Sequence, residues 1–177
     1  MNLSRLCFLP VVMFSLWVMP GTALPADDQA LFQKGVNAGI SNQTDFAFSY
    51  FDMIVKNHRG SRYYPQALFS SGEYFFRSRA FRDAKHMFRE LSNDYSDSEL
   101  RPFALAYLLR LAKQEGKRLE AKELEKEIVK ARQVCLVFKD FKEYSFTSPL
   151  NIIYKAQFFI DKVEVYINGR LFEEIPF

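Results

Sequence analysis

From residue 28 to residue 133 the apolar positions recur three and four apart, the spacing that keeps side chains on one helix face. In the middle of this stretch Pro65 opens a run in which Leu68, Gly72 and Phe75 share a face, and Pro suits a first helical turn. After a break at residues 78–80, Phe81, Ala84, Phe88 and Leu91 mark a second helix. The small residues Gly72 and Ala84 are what two crossing helices need to approach closely. Residues 93–98 close this unit, and Ser96 with Glu99 has the spacing of a capping box for the next helix. That helix starts at Pro102, breaks at Gly116, and is followed by one carrying Ala121, Leu124, Ile128 and Ala131 on one face.

The pattern repeats. A shift of 37 residues superposes Ala30, Ala67 and Ala104, then Leu31, Leu68 and Leu105, then Ala47, Ala84 and Ala121. Ile54, Leu91 and Ile128 coincide as well, as do Gly35 with Gly72, Phe51 with Phe88, and Pro65 with Pro102. No insertion is needed. The chain therefore reads as three units, 28–60, 61–97 and 98–133, each a pair of helices. A unit of this kind cannot bury its apolar face alone and must stack on its neighbours.

On Leu68, Gly72, Phe75, Ala84, Phe88 and Leu91, with their equivalents before and after, the chain resembles the tetratricopeptide repeat (TPR). The third unit departs most, with Leu109 at the Gly position and Glu125 at the Phe position. The resemblance implies a mainly α fold, an α-solenoid of three TPR helix pairs with a concave groove. The stretches Asn57-His58-Arg59-Gly60-Ser61 and Asp94-Tyr95-Ser96-Asp97-Ser98 are similar to the linkers of the bacterial envelope subgroup, keeping its final Ser without its Pro. That subgroup includes the outer-membrane assembly lipoprotein and the Tol–Pal coordinator. In such stacks the first helix of each unit lines the groove. Its surface is then expected about 100° round from the Leu and Gly positions. Those residues are Phe32 and Val36, then Phe69, Glu73, Phe76 and Arg77, then Phe103, Ala106, Arg110 and Lys113. Phe76 and Arg110 lie farthest from the helix seam, so their loss should cost partner binding and leave stability unchanged.

After Val134 the helical period fades. Ser148-Pro149 predicts a short helix running through Ile152, Ile153 and Phe159, with Ser as cap and Pro in the first turn. The alternation in Val163-Glu164-Val165-Tyr166-Ile167, the Asn168-Gly169 pair and Arg170-Leu171-Phe172 predict a β-hairpin. Two strands alone are marginal. Residues 134–177 are therefore expected to form a small hairpin-bearing cap on the end of the repeat stack, or an exposed edge that recruits a partner or a second copy.

Residues 1–23 read as an export signal. Arg5 precedes an apolar run of about 14 residues, shorter than the ~20 that span a bilayer, and Gly21-Thr22-Ala23 supplies small residues for cleavage. Ala26 is an alternative cleavage position. Cys7 starts the apolar run instead of ending it, so no lipid anchor is expected. Without residues 1–23 a single thiol remains, Cys135, which has no partner in its own chain and is expected to be buried among apolar neighbours.

Twenty-four Lys+Arg against 21 Asp+Glu is too balanced to indicate nucleic acid. The two histidines, His58 and His86, have no paired-ligand spacing, and neither a phosphate loop nor a nucleophile elbow is present. No cofactor or metal is expected. Arg118, Lys122, Lys126 and Lys130 recur every fourth residue, with Glu123 and Glu127 interleaved, and read as a solvated face or a contact for an acidic partner or anionic lipid. Together with the export signal and the resemblance, these features lead us to expect a non-enzymatic, periplasmic adaptor that holds a protein or peptide in its groove, within a complex of the outer membrane or cell wall. Two alternatives stay open. One is an envelope component that oligomerises through its hairpin, and the other is an accessory subunit of an envelope enzyme.

Overall fold

The computed structural model describes residues 27–138, 143–159 and 161–176, the side chains of 131–138 excepted. The expected export signal, Cys7 and the thiol of Cys135 lie outside it. The fold is mainly helical, with a four-stranded antiparallel sheet at its C-terminal end. Six helices come first: α1 (Asp28–Ile40), α2 (Thr44–Asn57), α3 (Tyr64–Arg77), α4 (Phe81–Asp94), α5 (Arg101–Gln114) and α6 (Arg118–Phe138). Each packs on the helix before and after it in the chain. Among the described residues no helix is long and apolar enough to cross a membrane.

The 37-residue period is present in the backbone as well as in the side chains. Asn42, Arg79 and Gly116, spaced by that period, all take left-handed conformations at φ 57°, 63° and 70°. Each ends the first helix of its unit with the same pair of bonds. The amide of Arg79 donates to the carbonyl of Phe76 at 3.1 Å and that of Ala80 to Phe75 at 2.9 Å. Asn42 and Gln43 repeat this on Gly39 and Ala38, and Gly116 and Lys117 on Lys113 and Ala112. These bonds satisfy carbonyls that a helix end leaves open. At the other end, Pro65 and Pro102 sit in the first turns of α3 and α5, where no amide proton is needed.

The capping box expected of Ser96 and Glu99 does not form. The turn is tightened two residues later, where Ser98 Oγ accepts the amide of Leu100 at 3.2 Å. Ser61 does the same for Tyr63 at 3.0 Å, one period earlier. Glu99 is drawn away to accept the hydroxyl of Tyr144 at 2.9 Å. The last helix runs on to Phe138, past the unit boundary read at residue 133.

The C-terminal part differs most from expectation. Residues 148–159 do not form a helix. Ser148 closes a tight turn, its amide donating to Ile152 O at 2.8 Å, and Ile153 enters a strand. The hairpin is present, but it is half of a meander, β1 (Glu143–Thr147), β2 (Ile153–Phe158), β3 (Lys162–Ile167) and β4 (Arg170–Pro176), in sheet order β1-β2-β3-β4. Asn168 and Gly169 make its turn at φ 49° and 73°. Asn168 also ties that turn to β2, because its amide donates to Ile153 O at 2.8 Å and its side chain accepts the amide of Ile153 at 2.9 Å. The inner residues Tyr154, Ala156, Val163, Val165 and Ile175 are buried and join the helical core.

The sheet lies across one face of the helices. On α3 and α5 the residues four and three apart, Phe69-Glu73-Phe76 and Phe103-Tyr107-Arg110, form parallel stripes beneath it. This explains why α5 is buried almost all round, from Phe103 through Leu109, Leu111 and Ala112. It has helices on its flanks and a sheet on the side left over, so no polar face survives. In place of the expected end cap, the sheet covers the face shared by α3 and α5.

Candidate functional site

The residues placed in a groove do converge on one face. That face is largely filled from within the chain. Phe69 is fully buried, with its ring 5.3 Å from Tyr154 and 5.7 Å from Phe146 of the sheet. Phe103, also fully buried, lies 5.2 Å from Tyr154 and 5.6 Å from Phe146. Ala106 is buried in the same layer. As a surface for a partner, Phe69, Glu73, Phe103 and Ala106 are not accessible, because the apolar stripes on α3 and α5 are satisfied by the chain's own sheet.

At the far end a bulge directs two successive side chains of β4 onto the helices. Val165 pairs with Glu173 and Tyr166 with Leu171, which leaves Phe172 as the extra residue. The Phe172 ring packs 6.0 Å from Phe76 and 4.9 Å from Tyr107, and the Arg110 guanidinium lies over it at 5.4 Å. Glu173, with a side chain only 5% exposed, is held by Arg110 at 3.3 Å and Lys113 at 3.1 Å. Phe76 and Arg110, expected to be free anchors, therefore form part of an internal latch. Arg77 is exposed beside it.

Glu73 sits at the centre, fully buried. The hydroxyl of Tyr154 donates to its Oε1 at 2.5 Å, and the hydroxyls of Tyr107 and Tyr154 are 2.6 Å apart. Burial pushes the carboxyl up to about 8, against the opposing pull of the Tyr154 and Ser148 hydroxyls and of Arg77. At neutral pH Glu73 thus carries its proton, which is how a carboxyl is tolerated in an apolar layer. Burial, with the nearby Glu73, likewise raises the phenol of Tyr154 well above its ordinary range. The network joins α3, α5 and β2.

What stays open is a cleft of about 650 Å³ at the α1 end of the same face. One wall is Phe32, Val36 and Ile40, successive turns of α1, and the opposite wall is Tyr144 and Phe146 of β1 with the turn that follows. Gln66 and the 98–100 segment complete it. Phe32 is held in place by stacking on Tyr63 at 4.5 Å. Ile40 is 60% exposed at the rim. The turn between β1 and β2 seats against α1 so closely that a Cβ on Gly39 would fall 2.1 Å from Pro149 O. Of the predicted groove residues, Phe32 and Val36 line this cleft, while Phe69, Glu73, Phe76, Phe103, Arg110 and Lys113 lie under or against the sheet.

Sequence reasoning missed Tyr107, Tyr144, Phe146, Tyr154, Phe172 and Glu173. Tyr107 carried a usable signal, since it falls four after Phe103 and three before Arg110 on the assigned face. Neither histidine is among the residues lining the cleft, and among the described residues no group of three or more His, Cys, Asp or Glu is placed to hold a metal. Compared with known proteins, the chain matches no protein-family model and no curated protein.

Proposed function

We propose that this protein is a non-enzymatic adaptor of the TPR type, exported to the bacterial periplasm, that captures an extended apolar segment of a partner protein. The capture site is the cleft between α1 and the β1–β2 turn. The observation that carries the reading is the facing pair of apolar walls there, with Phe32 and Val36 opposite Tyr144 and Phe146. Three helix pairs with one period in both side chains and backbone turns supply a rigid frame for it. A cleft of this size and composition accepts a few side chains of a bound chain, and aromatic walls are the usual source of interface energy.

The test is a photo-crosslinking residue at Val36, compared with one at His86, which is exposed and outside the cleft lining. A discrete adduct from position 36, lost on changing Phe32 to Ser and absent from position 86, supports the cleft. Equal labelling from both positions removes it. The oligomeric envelope component remains a second reading because Ile153 and Leu171, each 54% exposed, project from the sheet. Mass in solution separates a monomer from that assembly.

A further inference from the structure

A second surface is the outer face of α6, whose residues are not among those lining the cleft, so it is independent of it. Its charges are sorted by direction. Three of its four glutamates in residues 118–130 are turned back onto the body: Glu120 pairs with Lys85 at 3.0 Å, Glu125 with Lys113 at 3.5 Å and Glu127 with Arg101 at 3.0 Å. Glu120 also takes Arg89. The cations of the same helix point the other way. Arg118, Lys122, Lys126 and Lys130 are all exposed, and none makes an ion pair among the described residues. At 1.5 Å per residue they span about 18 Å. Leu119, 81% exposed, falls within the same arc of the helix, and the arc is bordered by Glu123, exposed, on one side and by Glu125, which is paired with Lys113, on the other.

We propose that this face docks the protein on an anionic phospholipid bilayer. A ladder of like charges costs stability within its own helix, so the inward pairing of the glutamates leaves an attraction unspent towards solvent. Three of the four cations are Lys, compact point charges that accept phosphate in any orientation. The four cations follow one helix face over its length, and a leucine among cations is suited to the headgroup boundary.

The full chain is incubated with sedimenting vesicles of neutral phosphatidylcholine, with or without about 30% phosphatidylglycerol. Binding is expected only with the anionic lipid and is lost when salt is raised to about 0.5 M. The variant Lys122→Gln/Lys126→Gln/Lys130→Gln should bind at least about tenfold more weakly, and Leu119→Ser a few-fold more weakly. Both should keep the wild-type melting curve, because the changed side chains are exposed. Equal binding to neutral vesicles, or undiminished binding by the triple variant, overturns the proposal. So does capture of polyglutamate through the same lysines without vesicle binding, which assigns the face to an acidic polypeptide.

Discussion

Phe88 occupies the space that a side chain at Gly72 would need: a Cβ there would lie 2.7 Å from Phe88 Cε1. One period earlier Gly35 stands in the same relation to Phe51, at 2.5 Å. One period later Leu109, fully buried, stands at the Gly position, and Glu125 at the Phe position reaches Lys113 of α5 at 3.5 Å. The contact is a volume rule between paired helices, met by an aromatic ring on glycine in two units and by the buried Leu109 in the third.

Gly72→Ala should therefore destabilise by about 1–3 kcal/mol, although Ala favours helix. Adding Phe88→Leu should return part of that loss by vacating the ring. Urea denaturation of the single and double variants checks it. A Gly72→Ala protein as stable as wild type would show that the helices can part at little cost.

The left-handed turn after α3 is made by Arg79, where the equivalent turn after α5 uses Gly116. A side chain in that conformation costs roughly 1 kcal/mol. Arg79→Gly is expected to raise stability by up to about 1 kcal/mol, reduced by the greater freedom glycine has when unfolded. A fall in melting temperature would mean that Arg79 contributes contacts beyond its backbone.

Glu73 makes stability fall as pH rises. Its carboxyl titrates at about 8 in the native protein against an ordinary 4.5, so between those values the folded state holds a proton that the unfolded state has released. The contribution is a loss of up to ~1.4 kcal/mol per pH unit across that window. The carboxylates held low by cations, among them Glu115, Glu120 and Glu143, act oppositely and weaken the fold only as pH falls below about 4.5. Glu73→Gln should flatten the profile between pH 5 and 8 and leave the acid limb in place. An unchanged slope in melting curves taken across that range would reject the assignment.

The latch at Glu173 is asymmetric. Arg110 and Lys113 are 45% and 38% exposed, whereas Glu173 is 5% exposed. Removing the carboxylate in Glu173→Gln leaves two cations near water and should cost under ~1 kcal/mol. Removing both cations in Arg110→Ala/Lys113→Ala strands a buried carboxylate and should cost about 3 kcal/mol. Denaturant titration gives the order directly, and the reverse order would be incompatible with burial of Glu173. Phe76→Ala should also destabilise, through Phe172 and Tyr107, contrary to the expectation drawn from helix spacing alone.

The helix boundaries as far as the start of α6, the 37-residue period and the Asn168-Gly169 turn were legible in the chain because each depends on residues a few positions apart. Pro65 and Pro102 act through their own missing amide protons, and Leu68, Phe88 and Leu91 reveal their face by spacing. The face shared by Phe69, Glu73, Phe76, Phe103 and Arg110 was legible for the same reason. Its occupant was not, since Tyr154 meets Glu73 across 81 residues and Glu173 meets Lys113 across 60. Helical spacing says which side chains share a face and carries nothing about what comes to cover it. A hint was present in α5, where Phe103, Ala106 and Tyr107 make the supposedly wet side as apolar as the packed one. Residues 148–159 were misread because Ser-Pro is a good helix start in isolation. Pairing of Ile153–Phe158 with strands on both sides outweighs that local preference, and only the assembled sheet supplies those partners.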